Sequence, residues 1–239
     1  PAVNTYDLET LFFRKLHYDA NGKSEVRILW AGRFLKLKHP EYAIRAAREL
    51  ERQHISFHLD MVGGGELEES LRKLVRKWHL EQKVTFHGFQ PPQNVRRFME
   101  ESDIFLFTSN HLEGWGAVLN ESMNSACAVV AGSGIGAVPF LIRHGQNGLV
   151  FQNECYREFQ EQVLLLCEDE NLRKTLGVNA YQTMIGEWNP ETAADRLYRF
   201  CEGLLNGKMQ PEKEGPLSPA PLIAPRAGYA YTRRKTGQG

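Results

Sequence analysis

Apolar residues fall along this chain in two rhythms. Short runs such as Val26-Arg27-Ile28-Leu29-Trp30-Ala31, Ile104-Phe105-Leu106-Phe107 and Val129-Val130-Ala131 are apolar almost throughout, as strands are when both faces of a parallel sheet are covered. Between such runs lie stretches in which apolar residues recur every three or four positions, the spacing of an amphipathic helix. The pattern predicts strands over 26–31, 57–62, 84–87, 104–108, 128–131 and 148–151. Helices are expected between them over 41–53, 67–78, 93–101, 118–126 and 138–143. Alternation of this kind gives an α/β fold, a parallel sheet with helices on both faces. Three further helices, over 154–168, 171–185 and 190–205, should pack on the flank of the sheet. Pro190 opens the last of them, where its missing N–H does no harm.

The two ends read differently. Residues 1–24 mix polar residues with Leu11-Phe12-Phe13 without a sustained period and read as a linker, and the chain starts at proline, so further sequence is expected upstream. From 206 to 239 the composition shifts to proline, glycine and arginine, which predicts a disordered tail. Charge adds an exclusion: 29 Lys and Arg balance 29 Asp and Glu, so no global field favours nucleic acid, and a basic site must be local. Cys127, Cys155, Cys167 and Cys201 show no C-x-x-C pairing, which fits reduced thiols in a cytoplasm better than a zinc site or a disulfide framework. No apolar run approaches the ~20 residues that cross a bilayer, so a cytoplasmic protein, at most peripheral to a membrane, is expected.

The unusual residues gather after strands, where ligands of parallel α/β sheets bind. After the fourth strand stands Glu113-Gly114-Trp115-Gly116-Ala117-Val118, with Glu121 about a turn into the helix that follows. Gly114 and Gly116 leave a backbone without bulk where the unpaired amides of a helix start can face an anion, and a diphosphate would suit them. Each part has a bland alternative, a tight turn for the glycines and a favourable charge at a helix start for Glu121. After the first strand come Gly32-Arg33 and then Lys38, two cations able to pair with phosphate oxygens; Lys36 reads as a solvated neighbour. Gly63-Gly64-Gly65-Glu66 follows the second strand without the G-x-G-x-x-G order, which argues against NAD or FAD. His87-Gly88-Phe89 follows the third strand, and Ser133-Gly134-Ile135-Gly136-Ala137-Val138-Pro139 the fifth. The histidines lie outside metal-ligand spacing and no D-x-D pair stands in these loops; no metal and no cofactor is expected.

Glu113 and Glu121, separated by seven residues, with Gly-aromatic-Gly after the first, resemble the E-x7-E motif of retaining glycosyltransferases of the GT-B fold, family 4. The resemblance runs from about Val26 to Leu205 and implies a Rossmann-like GT-B half-domain over 25–205 that binds a nucleotide-sugar. It implies transfer of a sugar (hexosyl type) from a nucleotide-diphosphate donor, with retention at the anomeric carbon, in the making of a polysaccharide or glycoconjugate. By the same resemblance Arg33, Lys38 and the amides around Gly116 to Val118 neutralise the departing diphosphate. Glu121 would hold ribose hydroxyls and Glu113 sugar hydroxyls near the reacting carbon, while Gly32, Gly64, Gly114, Trp115 and Ala117 border the donor and Phe89 stands beside the base or in the core. Two positions depart from the pattern: His39 stands where the family has glycine, and Phe140 where it commonly has glutamate.

Enzymes of this kind bind the acceptor in a second, N-terminal domain, and its pattern is missing from this chain. The chain is then the donor half of a longer enzyme, or a subunit that a separate acceptor-binding partner completes. From a different class, a non-catalytic nucleotide-sugar-binding subunit or scaffold fits the same residues. A membrane-associated acceptor stays open.

Overall fold

The structure, a computed structural model, describes residues 7–17, 22, 24–208 and 210–220. Six strands, β1 (Val26–Ala31), β2 (Phe57–Val62), β3 (Val84–Gly88), β4 (Ile104–Phe107), β5 (Ala128–Gly132) and β6 (Leu149–Phe151), form one parallel sheet in the order β3-β2-β1-β4-β5-β6. The helices are α1 (Leu8–Arg14), α2 (Glu41–Arg52), α3 (Glu68–Lys77), α4 (Pro92–Glu101), α5 (Val118–Met123), α6 (Val138–Leu141), α7 (Tyr156–Glu168), α8 (Glu170–Gly186) and α9 (Pro190–Leu205).

Apolar strands of this kind have two buried faces, and each face has its own core. Ile28, Trp30, Leu59, Met61, Leu106 and Val130 pack with Ile44 and Leu50 of α2, Leu71 of α3 and Phe159 of α7. Leu29, Phe105, Phe107, Val129 and Val150 pack on the other side with Met99 of α4, Leu119 and Met123 of α5 and Ala180 of α8. The period of two along each strand thus sorts residues between two interiors. Asp103, just before β4, accepts the Arg27 amide at 2.8 Å, and burial pushes its carboxyl above the usual range.

Three departures from the sequence reading have local causes. The described part of the expected linker is a helix: Asp7 caps α1 by accepting the Thr10 amide at 2.8 Å, and Leu11 is fully buried against Ala126 and Tyr181. Buried Lys15 donates to the carbonyls of Met99 (3.0 Å) and Ser102 where α4 ends. A helix of 7 residues with one deep apolar anchor is too short to display a period. Lys15→Ala is expected to cost about 1.5–3 kcal/mol, typical of hydrogen bonds to a charged group, and to lower the melting temperature by roughly 3–10 °C in a scanning calorimetry trace. Second, α5 stops at Met123, because Ala126 takes a left-handed φ of 54° that turns the chain into β5. Third, α7 and α8 pack on the sheet, but α9 buries no residue. Residues 210–220 run without helix or strand and are pinned by Arg196, which donates to the carbonyls of Glu214 and Pro216 (3.2 Å). Residues 1–6, 18–21 and 23 of the expected linker and 209 and 221–239 of the expected tail lie outside the described residues.

Candidate functional site

The sheet order places a cleft. Strands β1 and β4 are neighbours, but the chain leaves β1 toward β2 and leaves β4 toward β5, so the loops at their carboxyl ends diverge and open a crevice between them. A cavity of about 320 Å³ lies there, at the small end of ligand sites. It is lined by Gly32, Arg33 and Lys38 from the loop after β1, Gly63 after β2, Phe89 and Gln90 after β3, and Glu113 with Gly116, Ala117 and Val118 around the start of α5. Residues far apart in sequence, and singled out separately, are therefore one surface.

Lys38 sits at the end of a 3-10 turn, Lys36–Lys38, and side chains beneath fix its position. Trp30 Nε1 donates to Thr108 Oγ1 at 2.8 Å, and Thr108 Oγ1 donates to the Lys38 carbonyl at 2.6 Å. The Asn110 amide takes the Leu37 carbonyl at 2.8 Å. His39 follows with φ 44°, which is why glycine suits this position, and its Nδ1 lies 3.0 Å from Glu41 Oε1. Lys38 Nζ forms an ion pair with Glu113 Oε2, and Ser109 Oγ donates to the same oxygen at 2.8 Å. The two side chains are only 17% and 16% exposed, so water screens the pair less than a surface one. Arg33 is exposed and makes no ion pair among the described residues. Among the described residues the cavity thus holds one free cation, Arg33, and one cation with an internal counter-ion, Lys38.

Close backbone approach explains two glycines. A Cβ on Gly63 would stand 1.9 Å from the Gly32 carbonyl oxygen, at φ +126°, so the loops after β1 and β2 touch through a position that admits no side chain. Gly63→Ala is expected to push them apart and to cost at least the ~1–3 kcal/mol of ordinary overpacking, read as a lower urea midpoint with unchanged slope. A Cβ on Gly116 (φ +75°) would meet the Phe107 ring at 2.4 Å, so this loop lies directly on β4.

Four expected residues lie off the cavity lining: Gly64, Gly114, Trp115 and Glu121. Gly64 packs under the Phe89 ring, where a Cβ would come within 2.8 Å of it, and so supports a lining residue. The Gly114 carbonyl accepts the Gly136 amide at 3.0 Å, which ties the loops after β4 and β5 together. The Trp115 ring packs at a tilt against Phe140 (5.5 Å) and Trp188 (5.8 Å), and its Nε1 donates to Asn120 Oδ1 at 3.0 Å. Phe140 is therefore part of an aromatic cluster that steadies the Trp115 loop. Glu121 is exposed on α5, three residues beyond Val118 and on the same helical face. Sequence reasoning had Gly63 only as part of the Gly63-Gly64-Gly65 turn and missed Gln90, Thr108 and Ser109; the polar Thr108-Ser109 pair at the end of an apolar strand run was the signal for the last two.

A family model described as glycosyl transferases group 1 matches residues 17–183. The chain belongs to this family. Among curated relatives, it is 34% identical over 128 residues to the amylovoran biosynthesis glycosyltransferase of Erwinia amylovora, covering 52% of this chain and 31% of the relative. It is 28% identical over 192 residues to the N-acetyl-alpha-D-glucosaminyl L-malate synthase of Bacillus anthracis, covering 78% and 49%. The chain thus spans half or less of the length of these relatives. Among solved structures, the C-terminal domain of a glycosyl transferase group 1 family protein of Francisella tularensis superposes with a TM-score of 0.66 at 22% identity, covering 78% of this chain and 95% of that one. The Anabaena protein HepE, solved with UDP and glucose, superposes at 0.64 with 20% identity, covering 75% and 48%. These likenesses establish the Rossmann-like fold of a GT-B glycosyltransferase domain. Among the described residues no cluster of His, Cys, Asp and Glu is placed to hold a metal, and no helix is long and apolar enough to cross a membrane.

Proposed function

We infer that this chain is the donor-binding half of a retaining glycosyltransferase of family 4 that uses a nucleotide-diphosphate-sugar, of hexosyl type, for polysaccharide or glycoconjugate synthesis. The observation that carries the reading is the meeting of Arg33, Lys38 and Glu113 on one cavity at the reversal point of the sheet. Two cations beside the slim Gly116 backbone suit a diphosphate, and they oppose the charge that grows on it as the sugar leaves. Phe89, 73% exposed over the cavity edge, offers a flat face to the base. Glu121 reaches the ribose hydroxyls from the helix face it shares with Val118, and Glu113 receives sugar hydroxyls beside the reacting carbon. Relatives named for amylovoran, colanic acid and lipopolysaccharide core biosynthesis, and neighbours solved with UDP, support the substrate class. An N-terminal acceptor domain, in the same polypeptide or as a partner subunit, completes the enzyme; no metal is required by these roles.

Backbone NMR shift mapping with UDP, GDP and ADP tests the reading. Perturbations should centre on Gly32, Arg33, Phe89 and Gly114 to Val118, and the retained anomer should appear in the product once an acceptor domain is supplied. Shifts confined to other surfaces, or an inverted product, contradict it.

A further inference from the structure

Lys38 and Glu113 have been given opposite tasks, one gripping phosphate and the other sugar, yet in the structure they grip each other. The Lys38 ammonium and the Ser109 hydroxyl both sit on Glu113 Oε2, and both charged side chains line the cavity. We propose that Glu113 is an internal counter-ion that competes with the nucleoside diphosphate for Lys38, and thereby makes the site hold the nucleotide-sugar in preference to the product left when the sugar departs. The proposal rests on the donor-binding reading above.

A diphosphate that engages Arg33 and Lys38 must draw Lys38 off Glu113 and then lie beside a carboxylate that has lost its cation. An opposite charge removed and a like charge brought near both raise the free energy of the complex, and the partial burial of the pair keeps the effect from being screened away. With the sugar still attached, its hydroxyls donate to the carboxylate and replace what Lys38 withdrew. Once the sugar has moved to an acceptor those donors are gone and the leaving diphosphate carries one more negative charge. Glu113 then recovers Lys38 as the product goes. Ser109, 3% exposed and two residues past β4, keeps the carboxylate on the Lys38 side of the cavity throughout. Glu113 is thus a specificity-determining residue whose charge counts against product as much as its oxygens count for sugar.

Glutamine keeps the shape of Glu113 and removes its charge, so Glu113→Gln separates these effects. Whichever of UDP, GDP and ADP binds the unaltered chain most tightly is titrated calorimetrically into both proteins, alongside its glucose-bearing form. The expected result is tighter binding of the diphosphate by Glu113→Gln, roughly tenfold, a change that corresponds to ~1.4 kcal/mol, with no gain for the nucleotide-sugar. In a Lys38→Ala background the same substitution should gain much less, because the cation being competed for is gone. Glu113→Ala, read in the same way, replaces the glutamine variant if that one melts early. Equal diphosphate affinity in folded Glu113→Gln and unaltered chain, or weaker affinity in the variant, overturns the counter-ion proposal and leaves the donor-binding reading standing. No nucleotide binding by either protein overturns both.

Discussion

Sugar transfer by this chain alone is expected to stay at background, with slow donor hydrolysis the most it shows, and to rise by several orders of magnitude when an acceptor-binding N-terminal half is supplied in cis or in trans. Holding two reactants in line accounts for up to ~7–11 kcal/mol of a barrier in well-oriented cases. Arg33, Lys38 and Glu113 all line the cavity proposed for the donor. The chain spans 31% and 49% of two of its curated relatives. Closure of a second domain would also exclude water from the reacting carbon. A radiolabelled-donor assay with lipid-linked and soluble acceptors reads the effect; robust turnover by the isolated chain would show that the donor half reading is wrong.

Arg33→Ala is expected to weaken nucleoside diphosphate binding by roughly tenfold to more than a hundredfold, since a charge-assisted contact contributes about 1.5–3 kcal/mol and each ~1.4 kcal/mol is tenfold. The loss should exceed that of Lys38→Ala. Lys38 gives up the Glu113 carboxylate to reach phosphate, whereas Arg33 has no ion pair among the described residues to break. Arg33→Lys should recover only part of the loss, because an ammonium cannot hold two phosphate oxygens in the planar fork of a guanidinium. Arg33 is exposed, so the melting temperature should not move. Calorimetric titration of the three variants decides the order; a Lys38→Ala loss larger than that of Arg33→Ala contradicts the charge assignment.

How much of this was legible in the sequence follows from what sets each feature. The strands were legible because both their faces are buried: Ile28, Leu29 and Trp30 alternate between two cores but are all apolar. Helix ends were less legible, since the stop of α5 is set by the left-handed turn at Ala126 and not by a glycine or proline. The unburied α9 has an apolar share like that of its neighbours, and periodicity alone does not say what covers a face. In the site, glycine and charge in the loops after β1 and β4 singled out Arg33, Lys38 and Glu113, and these do line one cavity. Side-chain direction was out of reach. Nothing in Gly-Trp-Gly says that Trp115 turns toward Phe140 and Trp188, and nothing in residues 75 positions apart says that Lys38 and Glu113 pair. Such facts depend on contacts between loops that only the folded sheet brings together.

The central claim, that the cavity between the β1 and β4 loops takes a nucleoside diphosphate, is tested most directly by calorimetric titration of the intact chain with UDP, GDP and ADP in metal-free buffer. Saturable one-to-one binding of at least one of them, weakened at least roughly tenfold in Arg33→Ala, is the expected result. Absence of binding by all three to a demonstrably folded chain, or binding that survives Arg33→Ala unchanged, would contradict it.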